Sequence, residues 1–399
     1  MSRSKIHRQI LAQAIPSDAF TRDIALICLS NVIGAFGEGL YFWVFPIYIR
    51  SLQADYVQLG YVFSALYGIS ALAPLLGGVL ADRYDRKKIL ILGWTPWAFS
   101  ALIYSFATNW VQLIPGAACW GFSMIGVPAA NAYIFTAVKD KRKLASVLSF
   151  VWAAYSVSYI FAPAVGAYLA TVIGMRLVLQ LSALLSGVAT LVFFLLRSQH
   201  PPKNAAEMQQ KPLSLSEERR LWRKILLWSS FFAVASFFIS IARPYVTTFL
   251  AEDILLNEFY VGLFGSVNFA GITFIGIAMG WLGDKWRKSG AISVCLLLYL
   301  SSIVPLVLVR ETGALMVIAF LHGGSAVSGS LVSSYVGIIS PENKRGRWVS
   351  IPQSLSLLAA FAAPFLGGYL YTLSPYYAFV TSISVMPILA IFALLKLKE

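Results

Sequence analysis

Twelve apolar runs, each long enough to cross a bilayer, leave this chain little choice of fold. They lie at approximately 23–50, 54–81, 89–107, 109–137, 144–172, 176–197, 224–250, 257–283, 289–309, 313–338, 347–372 and 375–396. About 20 apolar residues at ~1.5 Å each cover the ~30 Å of bilayer hydrocarbon. Every run is rich in Leu, Ile, Ala, Phe and Gly with no sustained period of two, which predicts helices rather than barrel strands. Connections such as Thr108-Asn109 and Leu373-Ser374 are so short that neighbouring helices must form antiparallel hairpins. No extramembrane domain of any size is expected.

Charge sets the orientation. Only 12% of the residues are charged, against roughly a quarter in soluble domains. The formal charge of +14 invites a nucleic-acid partner, but the placement of the charges excludes one. Of the 31 Lys and Arg, 27 fall in the amino terminus, every second loop and the carboxyl tail; Arg50, Arg176 and Arg310 fall in the alternate loops and Arg243 inside a run. Positively charged loops stay in the cytoplasm. Both termini are therefore expected there, in an integral multi-pass protein of the plasma (inner) membrane. The amino terminus, with Arg3, Lys5 and Arg8, lacks the short apolar core and cleavage site of a secretory signal. Cys28, Cys119 and Cys295 lie in or beside apolar runs and read as packing residues, with no disulfide or metal spacing. With no phosphate-cradling loop, zinc spacing or paired carboxylates, neither an enzyme nor a cofactor is expected.

Internal repetition divides the chain. Ala162-Pro163-Ala-Val-Gly166-Ala167 recurs as Ala363-Pro364-Phe-Leu-Gly367-Gly368, an offset of 201 (363 − 162), and the same phrase appears as Ala73-Pro74-Leu-Leu-Gly77-Gly78. Lys141-Arg142 matches Lys344-Arg345, and Pro46 matches Pro244, at offsets of 203 (344 − 141) and 198 (244 − 46). The expected organisation is a cytoplasmic amino terminus (1–22), a six-helix bundle (23–197), a cytoplasmic linker (198–223) and a second bundle (224–396). In the linker Pro201 and Pro202 stop a helix. Ser214 with Glu217 fits a capping box opening a short amphipathic one. Parallel repeats of this kind place a solute site between the halves near the bilayer midplane.

The third copy of the phrase runs into Gly78-Val-Leu-Ala-Asp82-Arg83-Tyr-Asp85-Arg86-Lys87-Lys88, a charged turn between the second and third runs. A degenerate copy, Gly280-Trp-Leu-Gly-Asp284-Lys285-Trp-Arg287-Lys288, follows 202 positions later (280 − 78). This pattern resembles the signature loop of the major facilitator superfamily of secondary transporters, with Asp85 where that family most often has glycine. The resemblance covers essentially the whole chain. It implies an all-α membrane fold of twelve helices, working by alternating access, with the first, fourth, seventh and tenth helices lining the cavity.

It also implies that Asp82 and Asp284 face the amino-terminal ends of the eleventh and fifth helices, where the helix dipole favours a carboxylate. Arg83, Arg86 and Lys87 would be their loop partners, Gly78 would allow close packing, and Gly280, Lys285 and Arg287 belong to the second copy. Such contacts would latch an outward-open state and break on opening inward. The plainer alternative is that these charges only mark topology. The fifth-run phrase resembles the antiporter motif of the family's drug exporters, with Ala162 and Ala167 in place of glycines, which implies export.

Ionisable groups inside helices are expensive and point to function. Glu38 is the one acid deep in a run, about 14 residues or ~21 Å from its cytoplasmic end. Charging a carboxyl there is costly, which suits a group that takes up and releases protons; the alternative is a neutral Glu joining helices. Arg243 could hold an anionic group or pair with an acid, or its side chain could snorkel to the outer interface beside Tyr245. Aligning Pro46 with Pro244 sets it ~10 Å nearer the outside than Glu38. His322, with an ordinary pKa of about 6.5, could relay protons or simply pack. Asn31, Asn131, Asn268 and Gln353, with Trp120 and Trp152, either line a cavity or join helices.

The expected protein is a monomeric proton-coupled antiporter of a small molecule, with protons as coupling ion and the lipid bilayer as its surroundings. A lone acid suits a hydrophobic cation held partly by aromatic rings. Arg243 instead favours an organic anion, a zwitterion or a lipid-like amphiphile. A transporter-like membrane sensor or scaffold is the alternative from another class.

Overall fold

The computed structural model describes residues 21–138, 143–200, 214–340 and 345–397. Pro201, Pro202, Lys141-Arg142 and Lys344 lie outside the described residues. Twelve helices are long and apolar enough to span a membrane, numbered here in chain order: Arg22–Phe42, Tyr56–Arg83, Arg86–Phe106, Trp110–Ala137, Val147–Ile173, Met175–Phe193, Ser216–Asp253, Glu258–Lys285, Lys288–Leu306, Thr312–Ile339, Trp348–Leu373 and Pro375–Lys396. No strand occurs among the described residues. Large apolar side chains such as Leu184, Ile277 and Ile388 remain exposed on the bundle, as a surface solvated by lipid requires.

Several runs that read as single helices are broken, and proline is the usual cause. Helix 1 stops at Phe42 and a short helix, Phe45–Ser51, follows it. Pro46 has no N–H to give the Phe42 carbonyl, so the turn at Trp43-Val44 opens. Helix 4 parts at Met124-Ile125 for the same reason, with Pro128 unable to donate to Met124. Helix 10 instead breaks at Gly323-Gly324, where one turn of 3-10 helix intervenes. The linker differs in the other direction. Ser214 and Glu217 do form the capping box, but the helix they open is not a short separate one; it continues unbroken from Leu215 to Thr248 as helix 7.

The repeated Ala-Pro-x-x-Gly phrase is a packing device. A Cβ added at Gly166 would fall 1.7 Å from the Leu40 carbonyl oxygen, and one at Gly367 would fall 2.1 Å from that of Ile241. Both glycines and both carbonyls are related by the same offset of 201 (367 − 166 and 241 − 40). Helix 5 therefore lies on helix 1 as helix 11 lies on helix 7, each pair close enough that only hydrogen fits between. Ala162, fully buried, meets Gly39 in the same contact, and Pro163 and Pro364 turn their carbonyls toward Gly262 and Gly60 of the opposite half.

Contacts between the halves concentrate at the end away from the basic loops. A Cβ at Gly60 would lie 2.5 Å from the Pro364 carbonyl oxygen and one at Gly368 2.3 Å from that of Tyr56. Tyr245 Oη–H donates to Tyr56 O at 3.0 Å and Pro364 O at 2.7 Å, and Thr247 Oγ1 donates to Trp43 O at 3.2 Å. At the basic end, a Cβ added at Gly78 or Gly280 would meet nothing within 4 Å.

Candidate functional site

A cavity of about 230 Å3 lies between the halves. Phe42, Trp43, Pro46, Phe63 and Tyr67 form its amino-terminal wall; Phe232, Ser236, Ser240, Arg243, Asn268, Phe269 and His322 belong to the other. The alternative of Arg243 snorkelling beside Tyr245 is corrected here. Two residues apart on a helix, side chains point nearly opposite ways. Tyr245 is buried between helices 2 and 11, so Arg243 is turned into the cavity. Among the described residues its guanidinium makes no hydrogen bond and no ion pair. Beside it His322 is buried, with Nδ1 3.2 Å from Ser302 Oγ and its ring 5.5 Å from that of Tyr299. Asn268 donates from Nδ2 to the Ala319 carbonyl at 3.2 Å, tying helix 8 to helix 10.

Glu38 is elsewhere. Its carboxyl is buried inside the amino-terminal half, where Trp120 Nε1–H donates to Oε1 at 2.7 Å and Tyr155 Oη–H to Oε2 at 3.4 Å. Tyr155 and Tyr159 hydroxyls are 3.2 Å apart, extending the chain of polar groups along helix 5. An aromatic layer stands between this cluster and the cavity: Trp120 stacks on Phe42 at 5.9 Å and Tyr159 packs on Phe269 at 4.6 Å, while Phe42 and Phe269 line the cavity with their other sides. Tyr155 and Tyr159 were not singled out in the sequence. Their spacing from Trp152, three and seven residues on, is the helical stripe that could have shown them.

Of the remaining residues, Trp152 Nε1–H donates to Asn131 Oδ1 at 3.3 Å, so these two meet, but apart from the cavity lining. Asn31 is buried and Gln353 exposed, and neither lines the cavity.

The charged turns have their own geometry. Arg86 is buried and donates to Ala132 O at 3.1 Å, Thr136 Oγ1 at 2.5 Å and Gln199 Oε1 at 2.9 Å. Asp85 accepts from the backbone N–H of Lys87 and of Gln199, each at 3.0 Å, and from Ser198 Oγ. Burial works against its charge, yet these donors hold its carboxyl below the ordinary carboxylate range. Lys87 Nζ donates to Phe194 O at 2.7 Å. All these bonds stay within the amino-terminal half, bolting the turn to the end of helix 6.

Among the described residues, Asp82 makes no contact with helix 11 and Asp284 none with helix 5. Asp82 and Arg83 are exposed, as is Arg287; Asp284 pairs with Lys288 of its own half at 2.8 Å, and Lys285 Nζ sits 4.7 Å from the Trp281 ring centre. Gly78 packs against nothing.

A sequence model of the Major Facilitator Superfamily matches residues 27–250 and again 230–399. The chain belongs to the major facilitator superfamily. Among its relatives is the multidrug resistance protein MdtG of Salmonella typhimurium (strain LT2), 26% identical over 333 residues, covering 81% of this chain and 82% of that protein. Multidrug resistance protein 2 of Bacillus subtilis (strain 168) is 30% identical over 156 residues, 37% of this chain and 38% of the other. The crystal structure of the peptide transporter POT superposes with a TM-score of 0.74 at 16% identity, over 97% of each chain. At that identity the likeness is one of fold.

One contact between the halves is not visible in the sequence. At the closed end Arg50 Nε–H donates to Glu252 Oε1 at 2.8 Å and its Nη2–H to Oε2 at 3.2 Å, joining the two halves. Tyr56 Oη–H donates to the same carboxylate at 2.9 Å, with its ring 4.2 Å from the guanidinium, and Tyr371 Oη–H donates to Asp253. Arg50 and Glu252 are 202 positions apart. Opposite charges just beyond the first and seventh runs, one in each half, were the available signal.

Proposed function

We propose that this superfamily member is a secondary active transporter that exports a small amphiphilic molecule in exchange for protons, by alternating access. The observation that carries the reading is a solute-sized cavity between two repeat halves, which Arg50 and Glu252 join at one end. Taking the basic loops as cytoplasmic, the joined end faces outward, and in this reading the cavity loads cargo from the cell. Glu38 is the proton carrier: it is buried and held by neutral donors, with no cation beside it among the described residues, so taking up a proton leaves no charge unpaired. Asp82 and Asp284, exposed here, would find their partners across the gap when the basic end closes. Export is supported by the multidrug resistance relatives. The protein is expected to act as a monomer in the plasma membrane.

The test is proton movement, read by a pH dye inside liposomes holding wild type or Glu38→Gln, with lipophilic cations and organic anions added one at a time. Cargo-triggered proton flux that disappears in the variant supports the reading. Cargo accumulation without a proton signal overturns the coupling, and saturable binding without any flux favours a membrane sensor.

A further inference from the structure

The charge of the cargo is readable from what surrounds Arg243. We propose that the cavity takes a compact aromatic carboxylate, its oxyanion held by the Arg243 guanidinium and its ring body lodged among Trp43, Tyr67 and Phe269. This rests on the reading of the cavity as the cargo site.

Three observations support it. First, a guanidinium is always charged, and this one, in a cavity within the membrane, has neither a carboxylate nor a hydrogen-bond acceptor among the described residues. A carboxylate matches its planar fork with two parallel N–H···O bonds, which an ammonium cannot offer. Second, among the described residues none that lines the cavity is acidic. Glu38, the one group that would argue for a cationic cargo, is closed off behind Phe42 and Phe269 and already bonded to Trp120. A cation in the cavity would meet Arg243 with nothing to offset the repulsion. Third, the volume of about 230 Å3 falls just below the usual range of ligand pockets, ~300–1,000 Å3, and its walls are rich in aromatic rings. It fits a fused-ring acid better than an extended lipid.

Binding to the purified full chain, measured by isothermal titration calorimetry with 1-naphthoate, 1-naphthamide and 1-naphthylmethylammonium, tests the assignment. The three probes share a ring body and differ in charge. Naphthoate is expected to bind saturably, at least tenfold tighter than the amide, with the ammonium weakest. Arg243→Gln should reduce naphthoate to the level of the amide, and Arg243→Lys should retain part of the difference, because it keeps the charge and loses the fork. Naphthoate that binds no better than the amide, that binds Arg243→Gln unchanged, or that shows no saturable heat would overturn the proposal. The measurement needs no proton gradient. Naphthoate binding without proton flux would leave this inference standing and remove only the coupling.

Discussion

Arg50 and Glu252, one from each half, meet each other across the closed end, joined by bonds of 2.8 and 3.2 Å. An exposed ion pair contributes ~0.2–1 kcal/mol, and this one is supported by the Tyr56 hydroxyl and ring. Glu252→Gln should therefore loosen the seal by about 1 kcal/mol, roughly a fivefold change in the population open at that end. A cysteine introduced at Ser240 in the cavity wall, in a background freed of Cys28, Cys119 and Cys295, should react about that much faster with a membrane-impermeant maleimide outside intact cells. An unchanged rate would mean that the pair is not part of the seal. Exchanging the two charges together should restore the slow rate.

The glycine contacts predict a sharp difference between positions. Gly166→Ala and Gly367→Ala force a methyl into a backbone carbonyl of the neighbouring helix. The helices must separate, at a cost on the order of 3 kcal/mol or more. Gly78→Ala and Gly280→Ala meet open space here and should leave the melting temperature of the purified protein within a degree or two of wild type, while slowing transport if those turns close against the other half during the cycle.

Trp120 is the shorter of the two donors to Glu38. Trp120→Phe keeps most of the ring stacked on Phe42 and removes one N–H from a buried carboxyl, which costs ~1–3 kcal/mol. Thermal unfolding should show the loss in this variant. Combining it with Glu38→Leu should cost less than the two changes added separately, because they remove the same bond; strict additivity would argue against the bond.

The Asp85 clamp should depend on pH. Its carboxyl titrates lower in the folded protein than the ordinary value of about 3.9. Its stabilisation is thus complete above the unfolded value and is lost as pH falls through the lower, folded value. At pH 7 Asp85→Asn should melt below wild type. The gap should narrow progressively below about pH 4. A gap constant from pH 7 to pH 3 would show that charge plays no part in binding Ser198 and Gln199.

How far the fold was legible follows from which forces act locally. Bilayer-length apolar runs mark the twelve spans because chain length and hydropathy are properties of each run alone, and the breaks at Trp43-Val44 and Met124-Ile125 follow from Pro46 and Pro128. The continuation of helix 7 back to Leu215 was missed because its first turns are polar, so hydropathy ends before the helix does. The site was half legible. Glu38, Arg243 and His322 stood out by cost, but their separation into a buried cluster and an open cavity depends on how Phe42, Trp120 and Phe269 stack, which is decided by three helices at once. Asp82 and Asp284 show another limit: a contact across the halves depends on how the two bundles are placed, which no single run determines.

The lone charge of Arg243 has an electrical side. In alternating access the membrane voltage drops across whichever end is sealed, so an ion fixed in the cavity changes potential each time the seal changes ends. An empty carrier would move up to one positive charge through the field in its return stroke, worth ~2.3 kcal/mol per 100 mV. A monovalent anion bound to Arg243 would cancel it, leaving the cavity's own contribution to the loaded stroke electrically silent. The cell's resting voltage would then act through this residue on the unloaded stroke, setting how quickly the carrier resets rather than how tightly it holds its cargo.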